Sequence, residues 1–187
     1  KKGKVGLGFA VGEEPLPALF APYGVYILAT DINPKTQTAK LWDNGQLLKN
    51  KNNLYKGIGD KKLFNKLVKI KSVDMNRIPK SILNNKFDFT WSSCAFEHLG
   101  SIKNGLDFIY NQMKCLKDGG WSVHTTELNL SSNTNTFENE NLVIFRLKDI
   151  YKIIKELENN DHWVEPLKIN YGFSDIERYV DLPPYQQ

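Results

Sequence analysis

Lys4-Val-Gly-Leu-Gly-Phe-Ala-Val-Gly-Glu-Glu-Pro15 reads as a short buried strand, a glycine-rich turn and the start of a helix. Pro15 has the fixed φ that suits a first helical turn, and Leu16, Leu19 and Phe20 fall on one helical face. Gly6, Gly8 and Gly12 let the backbone turn sharply and approach a ligand closely. The free N–H groups of a helix start then face whatever sits above the turn. Further on, Val25-Tyr-Ile-Leu-Ala-Thr-Asp31 reads as a second strand ending in an acid. An acid there can accept hydrogen bonds from both hydroxyls of a ribose. Together these features point to an adenosine-containing cofactor. The turn alone does not, because its G-x-G-x-x-x-G spacing is one residue longer than the dinucleotide fingerprint. An ordinary βα turn would look the same.

The chain has 187 residues, enough for one domain with a real core, and we expect a single domain over 1–187. Because it begins almost inside its first strand, a longer natural protein is expected at one or both ends. The net charge of +4 is mild and the lysines are scattered, which argues against a nucleic-acid footprint. Cys94 and Cys115 stand far apart with no metal-type spacing, so free thiols in a reducing cytoplasm are expected. Glu13, Glu14, Pro15 and Pro17 interrupt the first apolar run too early for a signal peptide. No stretch is long enough for a membrane span.

The polar segment from Asn33 to Lys66 could hold a helix over Thr36–Leu48, marked by Ala39, Trp42 and Leu47. It reads either as a lid beside a cofactor strand or as a disordered surface insertion. Leu67 to Asp74 alternates apolar and polar residues and is strand three. Asp74 could take an adenine amine with Met75 against the ring, or it could cap a helix opened by Ile78-Pro79. Lys86 to Cys94 is strand four. Ser101 caps a helix whose stripe is Ile102, Leu106, Ile109, Met113 and Leu116. Lys117-Asp-Gly-Gly120 ends that helix. Trp121 to Leu128 is strand five, Asn129 to Asn141 a loop, Leu147 to Leu157 a helix, and His162 to Ile169 a further strand. Tyr171 to Gln187 is irregular. Trp91 and Trp121 read as core or cofactor-flank aromatics.

Strands alternating with helices imply a mostly parallel sheet covered on both faces, a Rossmann-like α/β fold. Ligands of such sheets bind outside the carboxyl ends of the strands. Gly6 to Gly12, Asp31, Asp74, Ser92 to His98 and Glu127 all fall at those ends.

In order and content these residues resemble the class I S-adenosylmethionine-dependent methyltransferases, from Val5 to about Leu167. The resemblance is carried by the glycine turn, Asp31, Asp74-Met75, Phe96-Glu-His-Leu99 and Leu116-Lys-Asp-Gly-Gly120. It implies S-adenosyl-L-methionine as cofactor, held by Gly6, Gly8, Gly12, Asp31, Asp74, Met75 and Ser92. One departure stands out: the family carries an acid two residues before its first glycine, and here that position is Lys4. Glu13 or Glu14 could substitute. The strings Glu14-Pro-Leu-Pro-Ala-Leu-Phe20, Glu97-His-Leu-Gly100 and His124-Thr-Thr-Glu-Leu-Asn129 resemble a bacterial subgroup associated with capsules and their phosphoramidate decorations. The implied acceptor is a small molecule or a nucleotide- or glycan-linked precursor, methylated on a hydroxyl or phosphate oxygen, with methylation on nitrogen left open as the alternative.

A hydroxyl acceptor calls for a base. His98 and His124 are the candidates, His98 preferred, with Glu127 to orient one of them or act itself. A structural, hydrogen-bonded histidine is the competing reading of each. Glu97 would pair with a nearby base or cap the helix at Ser101. No metal is expected, since nothing in the spacing of His98, His124 and Glu127 supports one. The serines lack a nucleophile-elbow pattern, which tells against a hydrolase. A nicotinamide-dependent oxidoreductase shares Asp31 and the glycine turn, and a non-catalytic module of the same fold would tolerate Lys4. These are the two alternatives.

Overall fold

The computed structural model describes residues 2–40, 46–84, 86–170, 172–176 and 179. Five strands, Val5–Phe9 (β1), Tyr26–Asp31 (β2), Val68–Ser72 (β3), Phe87–Ser93 (β4) and Leu116–Thr125 (β5), form one sheet in the order β3-β2-β1-β4-β5. Every pairing in it is parallel. Leu16–Phe20 (α1) and Lys61–Leu67 (α3) cover one face, with Ala18, Phe64, Ile27 and Trp91 in a shared core. Ile102–Gln112 (α4) and Leu147–Glu158 (α5) cover the other, where Leu7 and Phe9 pack on Leu106, Phe108, Ile153 and Leu157. A short helix, Gln37–Lys40 (α2), and a two-residue parallel pair, Leu128–Asn129 (β6) with Phe145–Arg146 (β7), complete the elements. The Rossmann-like reading is thus borne out. The strand order reverses between β1 and β4, where a crevice opens at the carboxyl ends.

The two-residue period of β1 explains its composition. Leu7 and Phe9 point to the α4 face and are fully buried. Gly6 and Gly8 lie on the other face, opposite Phe89 and Trp91 of β4. A Cβ on either glycine would collide with those rings, which stack with centroids 5.8 Å apart. These two glycines make room for aromatics and are part of the strand, not of the turn.

Several elements differ from the sequence reading. In α1 the buried residues are Pro17 and Ala18, whereas Leu19 is exposed. The Asn33–Lys66 segment is ordered where it is described: Leu47, Leu48 and Leu54 are buried, and α3 follows Asp60, which accepts the amides of Lys62 and Leu63 as its cap. The helix expected over Thr36–Leu48 is seen only as α2, and Trp42 lies outside the described residues. Helix α4 stops at Gln112 and a 3-10 turn, Met113–Cys115, follows. Lys117–Gly120 does not end that helix. The ladder skips from Phe87↔Leu116 to Phe89↔Trp121, so these residues bulge from β5, with Gly119 at φ 71°. Trp121 is 63% exposed, not a core residue, and meets Trp163 edge-on.

The strand expected over His162 to Ile169 does not form; Pro166 removes an amide donor from the middle of the run. Both cysteines are free thiols, Cys94 exposed and Cys115 buried. Among the described residues no helix is long and apolar enough to cross a membrane. Part of the stretch read as irregular, Tyr171 to Gln187, lies outside the described residues.

Candidate active site

A cavity of about 880 Å³ opens at the strand ends, within the usual size range of small-molecule sites. Its β1 side is the turn Ala10–Gly12. Val11 N–H donates to the Thr30 carbonyl at 3.0 Å and Glu14 N–H to the Val11 carbonyl at 3.0 Å. Gly12 has φ 50°, and a Cβ there would collide with the Gln46 carbonyl. Ala10 also has a left-handed φ, 45°, at about 1–2 kcal/mol for a residue with a Cβ. Gly12 lines the cavity; Gly6 and Gly8 do not.

Asp31 ends β2 and lines the same cavity. Oδ1 accepts the Ile32 amide at 2.7 Å and Oδ2 the Leu48 amide at 2.8 Å. The Asn33–Lys66 segment is thereby tied back to the end of β2. Burial raises the Asp31 pKa against those hydrogen bonds. After β3, Asp74 Oδ1 accepts the Asn76 amide at 2.8 Å and so caps the 3-10 turn Met75–Arg77. It caps that turn rather than one opened at Ile78, and Asp74 and Met75 both line the cavity. Glu14 reaches across from the β1 turn to accept Trp91 Nε1–H at 2.6 Å and the Ser93 hydroxyl at 3.0 Å. Glu13 binds Lys56 and Asn53. Lys4 is far from all of this: it sits at the opposite end of β1 and pairs with Asp88 at 2.7 Å.

His98 and Glu127 line the cavity; His124 and Ser92 do not. His98 Nδ1 lies 2.8 Å from the Asn141 carbonyl. A carbonyl can only accept, so Nδ1 carries the proton and Nε2 is the basic nitrogen. Burial lowers the His98 pKa and favours the neutral ring. His124 has both nitrogens engaged, Nδ1 with Ser92 and Nε2 with Ser122, each at 2.7 Å. Gln112 donates to Ser122 at 2.8 Å and accepts from Thr90 at 2.7 Å. This network lies under α4, and burial lowers the His124 pKa to about 3. His124 is therefore a neutral structural histidine, and Ser92 is its partner.

Glu97 is the residue whose place the sequence did not reveal. It is 0% exposed. Oε2 accepts the Thr126 hydroxyl at 3.2 Å, and Oε1 has no partner. Burial, with Glu127 nearby, raises its pKa to about 7. It neither pairs with a base nor caps α4, since Ser101 performs that task. A glutamate inside an otherwise apolar Ala95-Phe96 turn was the available signal. Cys94, inside the Ser92–His98 stretch expected at the strand ends, stands on the cavity wall with φ 44°.

The architecture is that of the class I S-adenosylmethionine-dependent methyltransferases. A Bacillus halodurans protein assigned as a methyltransferase superposes with a TM-score of 0.57 at 16% identity, covering 83% of this chain and 62% of its own. Phosphoethanolamine N-methyltransferase 1 of Haemonchus contortus, solved with phosphoethanolamine and S-adenosylhomocysteine, gives 0.56 at 15% identity over 84% of this chain and 30% of its own. A Galdieria sulphuraria protein assigned as a sarcosine dimethylglycine methyltransferase gives 0.52 at 18%, over 83% and 54%. The chain thus spans less than two thirds of each of these proteins. No protein-family model and no curated protein sequence matches it.

Proposed function

We propose that the chain transfers a methyl group from S-adenosyl-L-methionine to a small-molecule or glycan-precursor acceptor. The observation that carries this reading is that Gly12, Asp31, Asp74 and Met75, from three successive strand ends, line one cavity. The donor set suits the cofactor. Asp31 is placed for the ribose hydroxyls, Asp74 for the adenine amine, Met75 for the ring, and the Ala10–Gly12 backbone for close approach. Glu14 stands beside that turn and takes the position-holding part that Lys4 does not. When bound, the cofactor supplies an activated methyl group on a sulfonium.

The chain's own residues then have to orient a nucleophile, exclude water and remove a proton. His98, neutral and with Nε2 basic, is the base in this proposal, and Glu127 shares its end of the cavity. Gly6, Gly8, Ser92 and His124 act through packing and hydrogen bonds behind the wall. A surface-glycan precursor as acceptor, in the cytoplasm of a bacterium, belongs to the same proposal and rests on the sequence resemblance alone.

Calorimetric titration of the folded chain with S-adenosylhomocysteine tests the reading. We expect one site, with affinity reduced at least about tenfold by Asp31→Ala through loss of a charge-assisted hydrogen bond pair. No heat of binding from either S-adenosylmethionine or S-adenosylhomocysteine would discard it. Fluorescence enhancement of reduced nicotinamide dinucleotide would instead favour the oxidoreductase.

A further inference from the structure

The charge of the cavity opposes that of the chain. The chain carries +4, yet the described residues lining the cavity include five carboxylates, Glu13, Glu14, Asp31, Asp74 and Glu127, and no lysine or arginine. Four of the five hold chain groups: Glu13 binds Lys56 and Asn53, Glu14 binds Trp91 and Ser93, Asp31 binds two amides, and Asp74 caps a turn. Glu127 is engaged by none of the hydrogen bonds or ion pairs among the described residues. It stands in the Thr125–Leu128 connection, near enough to His98 and Glu97 to act on both electrostatically. Behind it lies Glu97, fully buried, with Oε1 unpartnered. Glu127 on the cavity wall and Glu97 behind it thus lie close enough to influence each other, and no lysine or arginine among the described residues lines that cavity.

We propose that the acceptor is an amine that enters as an ammonium group at Glu127, in place of the hydroxyl or phosphate oxygen that the sequence resemblance implies. This rests on the methyltransferase reading above. A phosphate would bring negative charge against Glu127 and drive Glu97 further toward its protonated form, and interfaces reject like charge strongly. A hydroxyl would leave the Glu127 carboxylate without a compensating charge. An ammonium supplies the missing charge and three N–H donors. It must lose one proton before it can react, and His98 Nε2 takes that proton. The amine lone pair then forms the new nitrogen–carbon bond. The carbon–sulfur pair stays on sulfur, and the alkylated nitrogen carries the charge that sulfur gives up.

The test uses the full chain, with S-adenosylhomocysteine binding measured first by calorimetry. Matched probes on one skeleton follow: 2-amino-2-deoxyglucose against glucose 6-phosphate, and ethanolamine against ethyl phosphate. Binding is read by saturation-transfer NMR, and methylation by mass spectrometry after incubation with S-adenosylmethionine. At least one amine should bind about tenfold tighter than its phosphate partner and gain a methyl group. Glu127→Gln should weaken that binding roughly threefold or more, as for a partly screened charge, and Glu127→Lys should reverse the preference. The proposal is overturned if no amine binds, if the phosphates bind equally well, or if Glu127→Gln leaves the preference intact. Failure of S-adenosylhomocysteine to bind, with the amine preference present, defeats the methyltransferase reading alone.

Discussion

Glu97 and His124 give the molecule opposite responses to pH. The Glu97 carboxyl has a folded pKa of about 7, above its ordinary 4.5, because it is buried. The folded state then binds more protons than the unfolded state between those values. The stability this confers is fully present below pH 4.5 and lost as pH rises through 7. Glu97→Gln keeps an acceptor for Thr126 and removes the ionisation. It should raise stability at pH 8 by on the order of 3 kcal/mol and flatten the curve above pH 4.5, as measured by urea denaturation. Equal stabilisation at pH 4 and pH 8 would contradict this. His124 works in the other sense. Its folded pKa, lowered to about 3 by burial, gives stability that is present above pH 6.5 and lost as pH falls toward 3. His124→Gln should flatten that acid limb while leaving S-adenosylhomocysteine affinity within about twofold, since the ring touches Ser92 and Ser122 behind the wall. The sequence ranks His98 ahead of His124 as the base but does not show what removes His124 from the cavity wall. Both stand near strand ends, and the difference is made by α4, whose Phe108 meets the His124 ring edge-on and whose Gln112 holds Ser122, the partner of His124 Nε2.

At the scale of elements, the glycines of β1 separate packing from binding. Gly6→Ala forces a Cβ against Phe89 and Ile27 and should cost about 1–3 kcal/mol by overpacking, with cofactor affinity unchanged in the folded fraction. Gly12→Ala introduces a Cβ at φ 50° against the Gln46 carbonyl. It should lower S-adenosylhomocysteine affinity at least about tenfold, through displacement of the turn. Thermal unfolding and calorimetry on the two variants check the pair; loss of affinity in Gly6→Ala would reverse the roles. The strands β1 to β4 and the helices α4 and α5 were legible because their apolar periods are strong and local. The bulge at Lys117–Gly120 was not, because a glycine pair fits a helix stop and a strand bulge equally well, and the register of β4 on β5 decides between them. Helix α3 was missed in a lysine- and asparagine-rich stretch. Its signals, the Asp60 cap and the Phe64–Leu67 spacing, are short.

For the whole molecule, the parallel sheet brings together residues separated by most of the chain. Alternation of strands and helices made that topology readable, and with it the convergence of Asp31 and Asp74. The acidic cavity in a basic chain was not readable, because net charge does not say which side chains share a wall. Nor was the tie between Leu48 and Asp31, a backbone contact from a segment whose sequence suits a surface loop. The central claim is that these strand ends grip one nucleoside. A crystal structure of the chain with S-adenosylhomocysteine tests it most directly. The account predicts ribose hydroxyls on the Asp31 carboxylate, adenine against Met75 with its amine toward Asp74, and the sulfur facing the His98 and Glu127 end. A nucleoside seated elsewhere, or one that leaves Asp31 and Asp74 untouched, would contradict it.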